Sequence, residues 1–427
     1  MNAVFLVLVL SAFLTAAWNQ FSAGDAESTP MGALSSAMVD SAGGAVELAI
    51  GLVGVMALFL GLMKIAEEGG LLTILARLIR PLMVRLFPDV PAEHPAMGAM
   101  ILNMSANMLG LGNAATPFGI RAMQELNKLN PVKGTASDSM VLFLAINTSS
   151  ITLLPTGVIA LRASAGSADP AGILPTTLFA TVCSTIVAIA AALSYRHFFP
   201  IEPNATTEGN NPEQQTADTE VELPVSDSGY PLWASWCALA GFLALIPLTI
   251  VYGHILSPWI LPGLMLAFLL FGVARGVRIY EAFVEGAKEG FQVALKIIPY
   301  LVAILVAVGM FRASGALDWV VSGLGGITGA IGLPAEALPM ALLRPLSGSG
   351  AYGIMASIIN DPAIGPDSYT GYLVSTLQGS TETTFYVLAV YFGAVQVRRI
   401  RHALAVGLSA DIAGVIAAVI AVSFLYG

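Results

Sequence analysis

The sequence predicts an all-α polytopic membrane protein, with about nine spanning helices and two re-entrant helical hairpins in an inverted-topology repeat. Three observations carry that expectation. Of the 427 residues, 56% are hydrophobic and only 11% charged, with a mean hydropathy of +0.80, whereas soluble domains carry about 25% charged residues. Several apolar runs exceed the roughly 18 residues that cross a bilayer core as a helix, and they lack the alternation of barrel strands. Finally, a series of small motifs occurs twice, in the same order.

The candidate spans fall at 3–20, 44–66, 138–161, 173–195, 231–252, 257–275, 291–312, 370–395 and 403–426. The first has no basic residue ahead of it, so it reads as a span rather than a signal peptide. The stretch 71–87 sets Arg77, Arg80 and Arg85 among leucines, as in an interfacial amphipathic helix broken at Pro81. Segments 97–118 and 335–358 are rich in Gly, Asn, Ser and Pro and are the expected hairpins. Between the halves, residues 201–230 hold Glu202, Glu208, Glu213, Asp218, Glu220, Glu222 and Asp227 with no Lys or Arg, the composition of a disordered linker. Three units follow: 1–200, the linker 201–230, and 231–427.

The repeat rests on collinear matches. Gly69 and Leu71 match Gly315 and Leu317; Pro91-Ala92-Glu93 matches Pro334-Ala335-Glu336; Met97 matches Met340. Gly119-Ile120 matches Gly353-Ile354, Asp138-Ser139 matches Asp367-Ser368, and Ser149 and Thr152 match Ser380 and Thr383. Charge flips between the copies. Lys64, Arg77, Arg80, Arg85, Arg121, Lys128 and Lys133 flank the first hairpin on both sides, which places both its ends in the cytoplasm. The connections around 335–358 carry Asp318, Asp361 and Asp367 but no basic residue, which places them outside. The N-terminus and linker are then cytoplasmic and the C-terminus external, in a bacterial inner membrane.

Composition excludes several classes. The net charge of −9 comes largely from the linker, so nucleic acid is not an expected partner; a small solute and membrane lipids are, and a homo-oligomer is compatible. Cys183 and Cys237 sit in apolar runs as packing residues. The four histidines have no ligand spacing, and no cofactor is expected. With no GxxxxGK[ST], HExxH or GxSxG motif, neither a primary pump nor an enzyme is indicated.

Chemistry concentrates in four segments. The first hairpin offers Asn103, Asn107 and Asn113. The following span carries Asn147, Thr148, Ser149, Ser150 and Thr152 ahead of Pro155, a run expected to unwind near the midplane. The second hairpin offers Arg344, Ser347 and Ser349, and its following span Gln378, Ser380, Thr381, Glu382 and Thr383. Interrupted segments at equivalent places in two halves point to a transport site. Of these, Glu382, Ser150, Thr152 and Thr383 are candidates for coupling to Na⁺ or H⁺, and the rest for binding solute. Ser and Thr in spans also serve plain helix packing, and Arg344 and Glu382 could serve only to pair with each other. Asp411, in the last span, is a lesser candidate.

The residues NMSANMLGLGNAATPFGIRAMQELN with FLAINTSSITLLPTGVIALR resemble spore maturation protein A. LRPLSGSGAYGIM, GPDSYTGYLVSTLQGSTETTFYVLAVYFG and RHALAVGLSADIAG resemble spore maturation protein B. The resemblance covers nearly all the chain outside the linker, and both proteins belong to the nucleoside-recognition, or Gate-domain, group, to which concentrative nucleoside transporters are related. It implies a Gate repeat in each half and secondary transport or export of a small polar or anionic, nucleoside-like solute. The competing expectation is a membrane scaffold for envelope or spore maturation, dependent on the linker and loops.

Overall fold

The computed structural model describes residues 2–22, 29–110, 112–149, 151–200, 229–317, 319, 323, 328–329 and 331–427. Residues 201–228 of the acidic linker, Ser150, Asp318 and the side chain of Asn113 lie outside the described residues. Helices make up the fold, and no strand occurs among the described residues; one isolated parallel bridge joins Thr135 to Arg399.

The first half begins with α1 (Asn2–Ser22), α2 (Pro30–Glu68) and α3 (Leu71–Leu86). Then come α4 (Pro95–Met108) and α5 (Gly112–Leu129), packed on each other as a hairpin. Next, α6 (Asp138–Ser149) and α7 (Thr156–Ser164) are two short helices in place of one span, and α8 (Leu174–Tyr195) closes the half. After α9 (Leu232–Ala274), the second half repeats the series. It has α10 (Ile279–Ala313), a hairpin of α11 (Leu338–Leu343) and α12 (Gly348–Ile359), a divided span of α13 (Tyr369–Ser380) and α14 (Thr384–Ala394), and α15 (Ala403–Tyr426). Caps define these starts: His94, Ser347 and Ser368 accept from the backbone N–H of Ala96, Gly350 and Gly371.

Two expectations need correction. The α3 helix is not broken at Pro81 but runs through it. Proline removes the bond to the Arg77 carbonyl four residues back, and the N–H of Tyr230 supplies it instead at 3.1 Å. The spans expected at 231–252 and 257–275 are joined without a non-helical residue in the 43-residue α9. A straight helix of that length would extend about 65 Å. Yet Ser235 bonds the Leu78 carbonyl of α3, while Phe271 packs on Gly69 just before α3. The helix is therefore bent rather than straight.

Helices α2 and α10 run antiparallel, with glycines at the closest approach: a Cβ on Gly290 would lie 2.7 Å from the Ala57 backbone. Also antiparallel are α8 and α15, linked by Ser184 to the Ala410 carbonyl and Tyr426 to the Gly172 carbonyl. The hydrophobic core forms two large clusters, and each mixes the halves. One joins α4, α5 and α6 to α14; the other joins α11, α12 and α13 to α7. Each hairpin thus packs with its own leading half-helix and the other repeat's trailing one, as a pseudo-twofold exchange requires. Among the described residues, three helices are by themselves long and apolar enough to cross a membrane: Pro30–Glu68, Leu174–Phe198 and Ala403–Tyr426.

Candidate solute site at the two helix breaks

The first break, between α6 and α7, follows a run of Ser and Thr and ends at Pro155, which cannot donate to a helical ladder. Its exposed backbone is satisfied from outside. The N–H of Leu153 bonds the Met108 carbonyl at the first hairpin tip at 2.9 Å, and Thr181 of α8 donates to the Ser149 carbonyl at 2.9 Å. The second break, Thr381–Thr383, is held likewise. The N–H of Phe385 bonds the Pro345 carbonyl of the second hairpin at 3.0 Å. Arg344 donates to Thr383 Oγ1 at 3.2 Å and to the Thr381 carbonyl, with Glu382 at 3.9 Å. The two breaks touch, because the N–H of Glu382 bonds the Thr148 carbonyl at 2.8 Å. Non-helical backbone of this kind is tolerated at membrane depth only inside protein or beside a cavity.

Such a cavity exists. It has a volume of about 240 Å³ and is lined by Asn107, Thr152, Arg344, Gln378, Thr381 and Glu382, together with Tyr352 and a set of glycines. Gly110 closes the first hairpin tip at φ +75°, where a Cβ would meet the Leu154 carbonyl oxygen at 2.7 Å; glycine alone fits there. The wall offers two amides, a guanidinium and a half-exposed carboxylate (Glu382, 47%). A space this small with donors and acceptors on several sides suits a small polar solute.

The other expected residues have different positions. Asn103 and Asn147 belong to a buried network behind the cavity. Asn103 donates to the Ala115 carbonyl at 2.8 Å and to Tyr391 Oη at 3.1 Å, and Asn107 donates to Asn147 Oδ1 at 2.9 Å. The hydroxyls of Thr148, Ser149 and Ser380 turn back onto carbonyls of their own helices. Ser347 caps α12, with Ser349 3.5 Å from it, and Thr383 is taken by Arg344. Sequence reading missed Tyr391, which joins the asparagines, while Tyr352 of the second hairpin bonds the Gly157 carbonyl through its hydroxyl at 3.1 Å. It also missed Arg162, fully buried and paired with Asp367 at 3.0 Å. The repeat offered one hint to that pair, since Asp367 matches Asp138, which pairs with Arg401 at 2.6 Å.

Comparison with known proteins gives consistent matches. The family described as Gate, nucleoside recognition, matches residues 49–165 and 294–398, one stretch in each half. Spore maturation protein B of Bacillus subtilis (strain 168) is 50% identical over 172 residues, covering 40% of this chain and 96% of that protein. Spore maturation protein A of the same strain is 52% identical over 145 residues, covering 34% and 74%. Among solved structures, a CNTnw variant in an outward-facing state aligns over 100% of this chain and 99% of its own, at 13% identity and a TM-score of 0.39.

Proposed function

Since the chain belongs to the Gate family of nucleoside-recognition proteins and is about half identical to spore maturation proteins A and B over the matched stretches, we propose that it is a secondary transporter or exporter of a small polar or anionic solute, nucleoside-like in its hydrogen bonding. One observation carries this reading: the broken helices of the two halves meet at a polar cavity to which both contribute. In membrane proteins that arrangement serves substrate and coupling-ion sites. Asn107 and Gln378 read the solute's polar edge, Arg344 supplies positive charge while holding the second break, and Glu382 faces the cavity. Na⁺ or H⁺ is the coupling ion, and Thr152 and Thr383 stand at the breaks where its ligands belong.

The hairpins α4–α5 and α11–α12 enter and leave the membrane on opposite faces. Nine crossings put the N-terminus and linker in the cytoplasm and the C-terminus outside, in a bacterial inner membrane. Purified protein in liposomes, given a panel of nucleosides and small organic anions with imposed Na⁺ or pH gradients, is expected to exchange at least one. Gln378→Ala and Glu382→Gln should cut that exchange at least tenfold. Failure to move any solute faster than empty liposomes refutes the reading.

The names of the relatives, spore maturation proteins, are also compatible with a second reading, a scaffold for spore or envelope maturation that transports nothing. Deleting 203–228 separates the two: a scaffold working through its linker loses function, and a transporter keeps its exchange rate.

A further inference from the structure

Among the described residues two carboxylates are buried, Glu125 and Asp411, and only Glu125 has basic side chains in contact, Arg121 and Lys128. Asp411 lies in α15 with Gly407 and Gly414 on the same helical face. A Cβ on Gly407 would run into the Thr384 methyl, and one on Gly414 would lie 2.7 Å from the Thr381 methyl. The second break is therefore seated on this face, with Asp411 at its centre. Thr384 donates to Asp411 Oδ2 at 2.7 Å, while Oδ1 is buried without any hydrogen-bond partner.

Charge counting shows what Oδ1 lacks. Arg344 feels both Glu382 and Asp411, but its Nη1 and Nη2 donate to Thr383 and Thr381 and its Nε is buried without a partner. One guanidinium thus faces two carboxylates, and only Glu382 reaches the open cavity. Among the described residues, the main helices packed on α15 bring no balancing charge to this depth. Helix α6 carries Asp138, held by Arg401 at the far end; α8 carries Cys183 and Tyr195; α13 and α14 carry Tyr369, Tyr372, Tyr386 and Tyr391. A carboxylate out of water is costly unless it is paired or neutralised, and Arg344 balances only one of the two.

We infer that the remaining balance is a proton on Asp411 Oδ1, and that Asp411, with Glu382 as its link to the cavity, is the coupling site of the transport cycle proposed above. One carboxylate oxygen of Asp411 is held by the Thr384 hydroxyl and the other is buried with no hydrogen-bond partner, a place that an O–H bond fills. The proton comes from water in the cavity, forms Oδ1–H, and is returned to water on the opposite side when the second break shifts Thr384.

Infrared difference spectra of the full chain in nanodiscs, titrated from alkaline to acidic buffer, test this without any transported solute. The expected result is one protonated-carboxyl C=O band, absent in Asp411→Asn and retained in Glu382→Gln. In liposomes, Asp411→Asn should lose pH-driven accumulation but keep solute counterflow. A band that survives Asp411→Asn, or none in the wild type, overturns the assignment; so does a band abolished by NaCl at constant pH, which would give the site to Na⁺. Transport without the band refutes the proton site alone, whereas the band in a protein that moves nothing refutes the transporter reading alone.

Discussion

Arg344 is 6% exposed and donates through Nη1 and Nη2 to Thr383 and Thr381, the residues on either side of Glu382 in the second break. Removing it leaves the Thr381 carbonyl without its charged donor. Arg344→Ala is therefore expected to lower unfolding stability in detergent by about 1.5–3 kcal/mol, as read from denaturant melts. Arg344→Lys should recover only part of this, because a point charge cannot serve two acceptors in a fixed fork. A second residue sets a pH dependence. His402 is buried just ahead of α15 beside Arg401, and both burial and that positive neighbour hold its imidazole below the ordinary histidine value. The unfolded chain then binds the extra proton first. The stability His402 contributes is complete above about pH 6.5 and is lost as pH falls from there through the folded value. Melting curves of wild type and His402→Gln should diverge across that acidic window, with the wild type showing the steeper loss.

Elements were legible where composition forced them. Serine, threonine, asparagine and proline concentrated at 147–155, and at 378–384 polar groups stood inside an apolar run; both places are broken helices. What composition could not show is a partner supplied from elsewhere. The helix through Pro81 survives because Tyr230, far along the chain, covers one carbonyl, and no local pattern announces that. The seam between α2 and α10 shows the same limit. Gly286 and Gly290 recur at the spacing of close-packed membrane helices, yet their necessity comes from Leu60 and Ala57 backbone on the facing helix, where a Cβ on Gly286 would overlap the Leu60 carbonyl. Gly290→Leu should push α2 and α10 apart, lowering the yield of monodisperse protein and its melting temperature. Gly241→Leu, where a Cβ would meet nothing within 4 Å, should be tolerated.

Across the whole molecule, the two halves hold each other by a reciprocal pair of clamps. Asp138 of the first half takes Arg401 of the second, and Asp367 of the second takes Arg162 of the first. Antiparallel α8 and α15 run between them, so the clamps sit at opposite ends of the fold. Arg162 also donates to the Pro366 and Asp169 carbonyls and lies 4.2 Å over the Tyr372 ring. Arg162→Ala should cost about 1.5–3 kcal/mol as the loss of charged hydrogen bonds from a fully buried guanidinium, more than Arg401→Ala at the other end; paired melts would check the order. Cysteine labelling of loops 130–137 and 360–368 from either side of the membrane should find them on opposite faces. The repeat was readable from motif order. The clamps were not, because each joins residues more than 200 positions apart with no spacing rule.

Reciprocity of these contacts has a consequence for stoichiometry. Every bond just named is made by the halves themselves, so the peptide connection between them acts chiefly as a tether, raising the local concentration of one half at the other to roughly millimolar. Residues 1–200 and 229–427, produced as separate polypeptides in one cell, should assemble and copurify one to one. In the unbroken chain, the tether would serve to keep synthesis of the two partners equal.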